Sequence, residues 1–171
     1  MQELIKAIEQ WAEDRNIIKG SKPIDQAMKL FSEFGELADN VGKGRDCRDD
    51  IGDIFVVLTI MCKQYGKSIS SNVNINLEPV DIEESKPAIS NLAYYLHLAS
   101  RATENTIFVP VRMCLLKLKN ICINSGYTLQ ECVQIAYNDI KDRKGLMHNG
   151  VFVKESDPVY ASIVASIESN C

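Results

Sequence analysis

Between Asp46 and Tyr65 the chain sets apolar residues on nearly every side of a helix, with Ile51, Ile54, Phe55, Val56, Val57, Leu58, Ile60, Met61 and Cys62 leaving no continuous polar stripe. A helix apolar almost all round cannot lie on a surface, so other elements must sheathe it. Its longest apolar run, Ile54 to Cys62, has nine residues and includes Thr59. Spanning a bilayer takes roughly 20, so the sheath is protein rather than lipid. The rest of the sequence must therefore supply amphipathic helices around this one.

Gln2 to Arg15 repeats Leu4, Ile5, Ile8, Trp11 and Ala12 at three- and four-residue spacings, one apolar helical face. Ser21-Lys22-Pro23 breaks the chain and opens a second helix from Ile24 to about Val41, stopped by Gly42-Lys43-Gly44. The central helix follows. A polar stretch, Ser68 to Lys86, reads as a surface connection. Helices are then predicted over about Pro87–Arg101, Val109–Asn124 and Thr128–Arg143, the last opening on Thr128-Leu129-Gln130-Glu131, the pattern of a capping box. Asn149-Gly150 between Leu146-Met147-His148 and Val151-Phe152-Val153 predicts a hairpin. The tail from Asp157 leaves a short helix and a frayed end both open. The expected fold is all-α: a helical bundle of about six helices with a four-helix core and a small C-terminal β-hairpin. One domain is expected over 1–155, with a tail over 156–171.

The four-helix core comes from an internal echo. Ser21-Lys22-Pro23 recurs as Ser85-Lys86-Pro87, 64 residues later, where Leu30, Phe31 and Phe34 meet Tyr94, Tyr95 and Leu98. An offset four residues shorter carries Leu58, Cys62 and Gly66 onto Leu118, Cys122 and Gly126. Either a helix pair over 23–66 buries its apolar face against a copy over 85–126, or amphipathic helices coincide at sparse positions.

Nineteen basic and 23 acidic residues in a chain of 171 give a net charge of −4. Without a general positive field, neither a nucleic-acid polymer nor a membrane surface is an expected partner. A small anion needs only a few local cations or a metal, and stays open. Cys47, Cys62, Cys114, Cys122, Cys132 and Cys171 form no C-x-x-C pair, and no secretory signal is read at the N-terminus. Reduced, mostly buried thiols in a cytoplasmic protein are the expectation. His97 and His148 are too few and too scattered for a zinc site with those thiols.

Glu33-Phe34-Gly35-Glu36 and Asp50-Ile51-Gly52-Asp53 each place two carboxylates three residues apart, on one helix face. Each has glycine before the second acid, at a cost of about 1 kcal/mol against alanine in a helix, which suggests close backbone approach or room for a ligand. Glu33 and Glu36 also fall on the stripe Lys29, Glu33, Glu36, Asn40, Lys43, as a solvated face would. Asp53 is different, because its face continues through Val57 and Ile60. Its carboxylate should be partly buried and needs a partner. Lys43, Arg45 or Arg48 could serve one acid, whereas one hard divalent cation serves acids on two adjacent helices together. Lys141, Arg143 and Lys144 at the end of the last helix either complement its dipole or hold a polyphosphate. Trp11 reads as core or, with Arg15, as a border of a base or sugar; His148 reads as a surface residue.

The order Glu33-x-x-Glu36, Asp50-x-x-Asp53, a helix closing in Lys141-Asp142-Arg143-Lys144-Gly145 and an Asn-Gly hairpin resembles the MazG-like all-α nucleoside triphosphate pyrophosphohydrolases. The likeness includes Trp11 with Asp14-Arg15 and covers residues 1–66 and 127–155. It implies hydrolysis of (deoxy)nucleoside triphosphates to monophosphate and pyrophosphate with Mg2+, or Mn2+ in its place. By resemblance, Glu33, Glu36, Asp50 and Asp53 are the catalytic, metal-holding acids. Glu33 orients the attacking water, and Lys141, Arg143, Lys144, Trp11 and Arg15 are the substrate-binding residues.

Three departures stand against that pattern. Ser32 precedes Glu33 where the family usually has a second glutamate, and Asp50 is one methylene shorter than the usual glutamate. The stretch from about Lys67 to Gly126 is absent from short family members. Relatives resembling dimeric dUTPases carry a second helix pair in the same chain, and here that pair has His97, Ser100, Pro110 and Met113 at the positions of the four acids. One metal site per chain is therefore expected, in a monomer, homodimer or higher homo-oligomer. Two alternatives are a catalytically degenerate helical module binding nucleotide or protein, and a phosphohydrolase acting on (p)ppGpp or a nucleoside diphosphate.

Overall fold

In the computed structural model, residues 1–73 and 81–168 are described, and the all-apolar helix is buried as its composition requires. The helices are α1 (Gln2–Asp14), α2 (Ile17–Gly20), α3 (Pro23–Lys43), α4 (Arg48–Gln64), α5 (Ser70–Val73), α6 (Ser85–Ser100), α7 (Phe108–Ser125), α8 (Leu129–Ile140) and α9 (Tyr160–Glu168). Strands β1 (Gly145–His148) and β2 (Val151–Lys154) lie between α8 and α9. Every residue of α4 from Asp50 to Cys62 is buried except Asp53, which is half-buried.

Packing follows from where the apolar faces lie. α3 packs on α4 and α6, α6 on α7, and α7 touches α4, so these four close a ring around one core; α8 lies along the outside of α4, with α1 beside it. Gly52 makes the α4–α8 contact possible, since a Cβ there would collide with the Cys132 carbonyl oxygen and stand 2.7 Å from the Ala136 Cβ. Two helices of the ring stop in the same way. Gly66 after α4 and Gly126 after α7 take left-handed φ of 69° and 74°. The Cys62 carbonyl accepts from Lys67 N–H (3.0 Å) and the Cys122 carbonyl from Tyr127 N–H (2.8 Å), the six-to-one bond of a glycine C-cap.

The capping box is present, with Glu131 N–H donating to Thr128 Oγ1 and Thr128 N–H to the Glu131 carboxylate. The hairpin pairs Leu146 with Val153 and Met147 with Phe152, turning on Asn149 and Gly150, both at positive φ. Two short helices were not legible. α2 is a single turn entered through Asn16 in the left-handed region, held because Ile17 is buried. α5 and the buried Ile69 occupy part of the stretch expected to be a surface connection; residues 74–80 of that stretch lie outside the described residues. α9 settles the tail as helical as far as Glu168. Cys47, Cys62, Cys114, Cys122 and Cys132 are free, buried thiols.

Candidate functional site

A cavity of about 590 Å³ opens beside α3 and α4, and both charged and apolar side chains line it. Glu33 and Glu36 of α3 and Asp49 and Asp53 of α4 contribute four of the five carboxylates among its described residues, with Lys29 and Arg143 as cations. Trp11, Ile17, Val56, Val57, Ile60, Ile140, Met147 and Phe152 supply the apolar lining, and Asp25, Gln26 and Gly150 complete the wall.

Backbone and side-chain bonds fix these walls. The hairpin is tied to the α1–α2 corner by Met147 N–H to the Arg15 carbonyl (2.8 Å), Gly150 N–H to the Gly20 carbonyl (2.8 Å) and the Asn16 side-chain amide to the Met147 carbonyl (2.9 Å). Gly20 and Gly150 both allow close approach, since a Cβ at the first would strike the Met147 carbonyl and at the second would stand 2.9 Å from the Asp25 carboxylate. Arg15 binds the carbonyls of Arg143 (2.6 Å) and Lys141 (2.9 Å), with its guanidinium 5.2 Å from the Trp11 ring centroid. It thereby holds the end of α8, and so Arg143, against α1.

The carboxylates repel one another, and their acidities show it. Burial, then the charges of Glu33 and Asp49, push the Asp53 carboxyl up to about 7, against the smaller pull of Lys29 and Arg143. Burial, then Asp139 and Glu33, push Asp49 up as well. Glu33 is 2% exposed and is ion-paired with Lys29, one turn earlier on α3. Gly52 is a close approach, whereas Gly35 is exposed and does not line the cavity.

Of the residues expected at the site, Glu33, Glu36, Asp53, Arg143 and Trp11 line the cavity. The other four do not, and each has a physical reason. Asp50 does not line the cavity and accepts from the Asn40 amide at 2.8 Å, yet burial, partly offset by that bond, and then the charges of Glu36, Asp49 and Glu33 push its carboxyl up. Lys141 is exposed and its ammonium donates to Asn138 at 3.3 Å, while Lys144 pairs with Glu155 at 3.6 Å. Arg15 is spent on the carbonyls ending α8. Asp49 takes the place expected for Asp50. The face Asp53–Val57–Ile60, extended one turn towards the N-terminus, meets both Asp49 and Asp50, so helical spacing admitted Asp49 without selecting it.

A hard divalent cation takes carboxylate oxygens, and four carboxylates on facing helices provide the right donor chemistry. Among the described residues, no three His, Cys, Asp or Glu side chains stand grouped to hold an ion between them. The donor set suits a magnesium-type ion in its chemistry, while its side chains are not gathered around one point. No described helix is long and apolar enough to cross a membrane.

No known family profile matches the chain, and no solved structure matches it. It is similar to an "uncharacterized 18.2 kDa protein in rep-hol intergenic region" of Haemophilus phage HP1 (strain HP1c1), 53% identical over 66 residues. The aligned region spans 37% of this chain and 40% of the phage protein.

Proposed function

We propose that the protein hydrolyses (deoxy)nucleoside triphosphates to monophosphate and pyrophosphate with Mg2+, or Mn2+ in its place. The observation that carries this is the company kept by Asp53, a half-buried carboxyl raised to about 7, which shares with Glu33, Glu36 and Asp49 a cavity that apolar side chains also line. Acids so placed destabilise a fold unless a cation or proton joins them, so their gathering is explained by a ligand rather than by packing.

Glu33, Glu36, Asp49 and Asp53 are the residues that would hold the cation. When bound, that cation supplies charge neutralisation for the leaving pyrophosphate and a more acidic water. Glu33, the most buried acid of the wall, orients the water towards the α-phosphorus, and the bond from that phosphorus to the bridging oxygen breaks. Arg143 meets phosphate oxygens at the α8 edge. Trp11, Val57, Ile60, Met147 and Phe152 exclude water around the base, while Arg15 acts through its hold on α8. The reading carries with it a cytoplasmic location, where nucleotides and reduced thiols coexist. A panel of canonical and modified dNTPs with Mg2+, read out as monophosphate and pyrophosphate, tests it. No product from any member overturns it.

A second reading has one observation in its favour: the acids share a cavity without being grouped around a point. A nucleotide-binding module without turnover would show calorimetric binding of Mg2+ with a non-hydrolysable triphosphate, and blank product assays.

A further inference from the structure

We propose that Lys29 is the site's exchangeable counter-ion, holding Glu33 while no metal is bound and moving to phosphate oxygens once a divalent cation takes that carboxylate. The inference deepens the hydrolase reading above and rests on it for the identity of the anion.

The argument starts from Glu33. Its side chain is 3% exposed, and a buried carboxylate left without a cation is strongly disfavoured. Its ion-pair partner is the Lys29 ammonium, whose own side chain is 58% exposed and therefore little fixed by packing. Lysine placed four residues before glutamate is also the poorer order for a helical pair, so helix stability does not account for the arrangement. Among the described residues lining the cavity, the other cation is Arg143, and its Nε already donates to the Asp139 carbonyl at 3.2 Å. Lys29 is thus the cation with both the freedom and the position to move, and its charge reaches Asp53 as well as Glu33.

A dication among these acids would neutralise Glu33 and repel the ammonium. A compact charge on a flexible stem then settles on the nearest anion, which in a loaded site is the polyphosphate. Lys29 would hold the acids together at rest and the substrate during turnover, without forming or breaking a covalent bond.

The test is a pair of calorimetric titrations on wild type, Lys29→Met and Lys29→Arg. With Mg2+ alone, Lys29→Met should bind about tenfold more tightly than wild type, and Lys29→Arg should stay near wild type. With inorganic pyrophosphate added to the Mg2+-saturated proteins, Lys29→Met should bind about tenfold more weakly. Unchanged or weaker Mg2+ affinity in Lys29→Met, undiminished pyrophosphate affinity, or no Mg2+ binding by any of the three overturns the exchange. Should Lys29→Met fail to fold, as judged by thermal melting, Lys29→Gln makes the same comparison. If both titrations behave as expected while wild type releases no monophosphate from any dNTP, the exchange stands and the hydrolase reading falls. Normal hydrolysis with flat titrations overturns the exchange alone.

Discussion

The helix pairs α3–α4 and α6–α7 sit side by side in one ring, and their second helices stop on glycines with the same hydrogen-bond closure. What they surround differs. Where the first pair carries Glu33, Glu36 and Asp53, the second carries an exposed His97, a Ser100 whose hydroxyl donates to the His97 carbonyl, and a half-buried Met113. Pro110, buried in the first turn of α7, stands at the position of Asp50. The second pair packs without a single one of these acids, so helix pairing does not require them. The buried Glu33 and half-buried Asp53 of the first pair carry a desolvation cost that the second pair does not, and the proposed cation would offset it.

The sharpest way to break the comparison is to treat both pairs alike. Asp53→Asn should reduce Mg2+-dependent pyrophosphate release by about a hundredfold or more, because it removes a charge from the cation's donor set. His97→Gln and Ser100→Ala, at the positions of Glu33 and Glu36, should stay within about twofold. Equal losses in both pairs, measured as monophosphate formed, would show that the asymmetry is not functional.

Next in size is a contrast in packing. Gly52→Ala forces a methyl group onto the Cys132 carbonyl, and overpacking of this kind costs about 1–3 kcal/mol. Its counterpart at the offset relating α4 to α7 is Arg112, which is exposed; Arg112→Ala should cost less than about 0.5 kcal/mol. Urea denaturation of both variants measures the difference.

Within the first pair, Asp49 and Asp50 are adjacent acids with different surroundings. Asp49→Asn should weaken Mg2+ binding by about tenfold, and Asp50→Asn by no more than about threefold, since Asp49 lines the cavity while the Asp50 carboxylate is already bound by the Asn40 amide. Calorimetry with Mg2+ decides it, and the reverse order would restore the assignment made from the spacing of the acids.

That reversal shows where the sequence was legible. Periodicity carried the helices, because burial of a continuous apolar face leaves its mark on every third or fourth residue: α4 and the hairpin turn at Asn149-Gly150 could hardly be read otherwise. It could also separate Asp53 from a surface acid. It could not choose between Asp49 and Asp50, because both share a helix face with Asp53 and only the placement of α3 and α8 around α4 decides which one meets the cavity. Arg15, Lys141 and Lys144 do not line the cavity, for a related reason. A cation near a helix end serves a carbonyl, a carboxylate or a phosphate equally well in one dimension, and here carbonyls, Asn138 and Glu155 take them. α2 escaped because a single helical turn has no periodicity and depends on the burial of Ile17.

The last contrast concerns stability without metal. Burial, and then the neighbouring charges of Glu33 and Asp49, raise the Asp53 carboxyl to about 7, whereas the unfolded chain would have it near its ordinary value of 3.8. The folded state therefore holds this proton more tightly than the unfolded state. The stability so gained is present in acid and is lost as pH rises through about 7. Asp53→Asn cannot ionise, so in chelator at pH 8 it should be more stable than wild type by about 1–2 kcal/mol, a figure reduced for the partial solvation of the carboxyl, and the gap should close towards pH 4. Met113→Ala, in the second pair, should show no such crossing with pH. Saturating Mg2+ should then restore wild type at pH 8 and leave Asp53→Asn nearly unmoved, because only an ionised carboxylate set gains from the cation. Parallel melting curves for wild type and Asp53→Asn at both pH values would mean that the two helix pairs are electrostatically alike, and that the first pair's acids are no more than a solvated face.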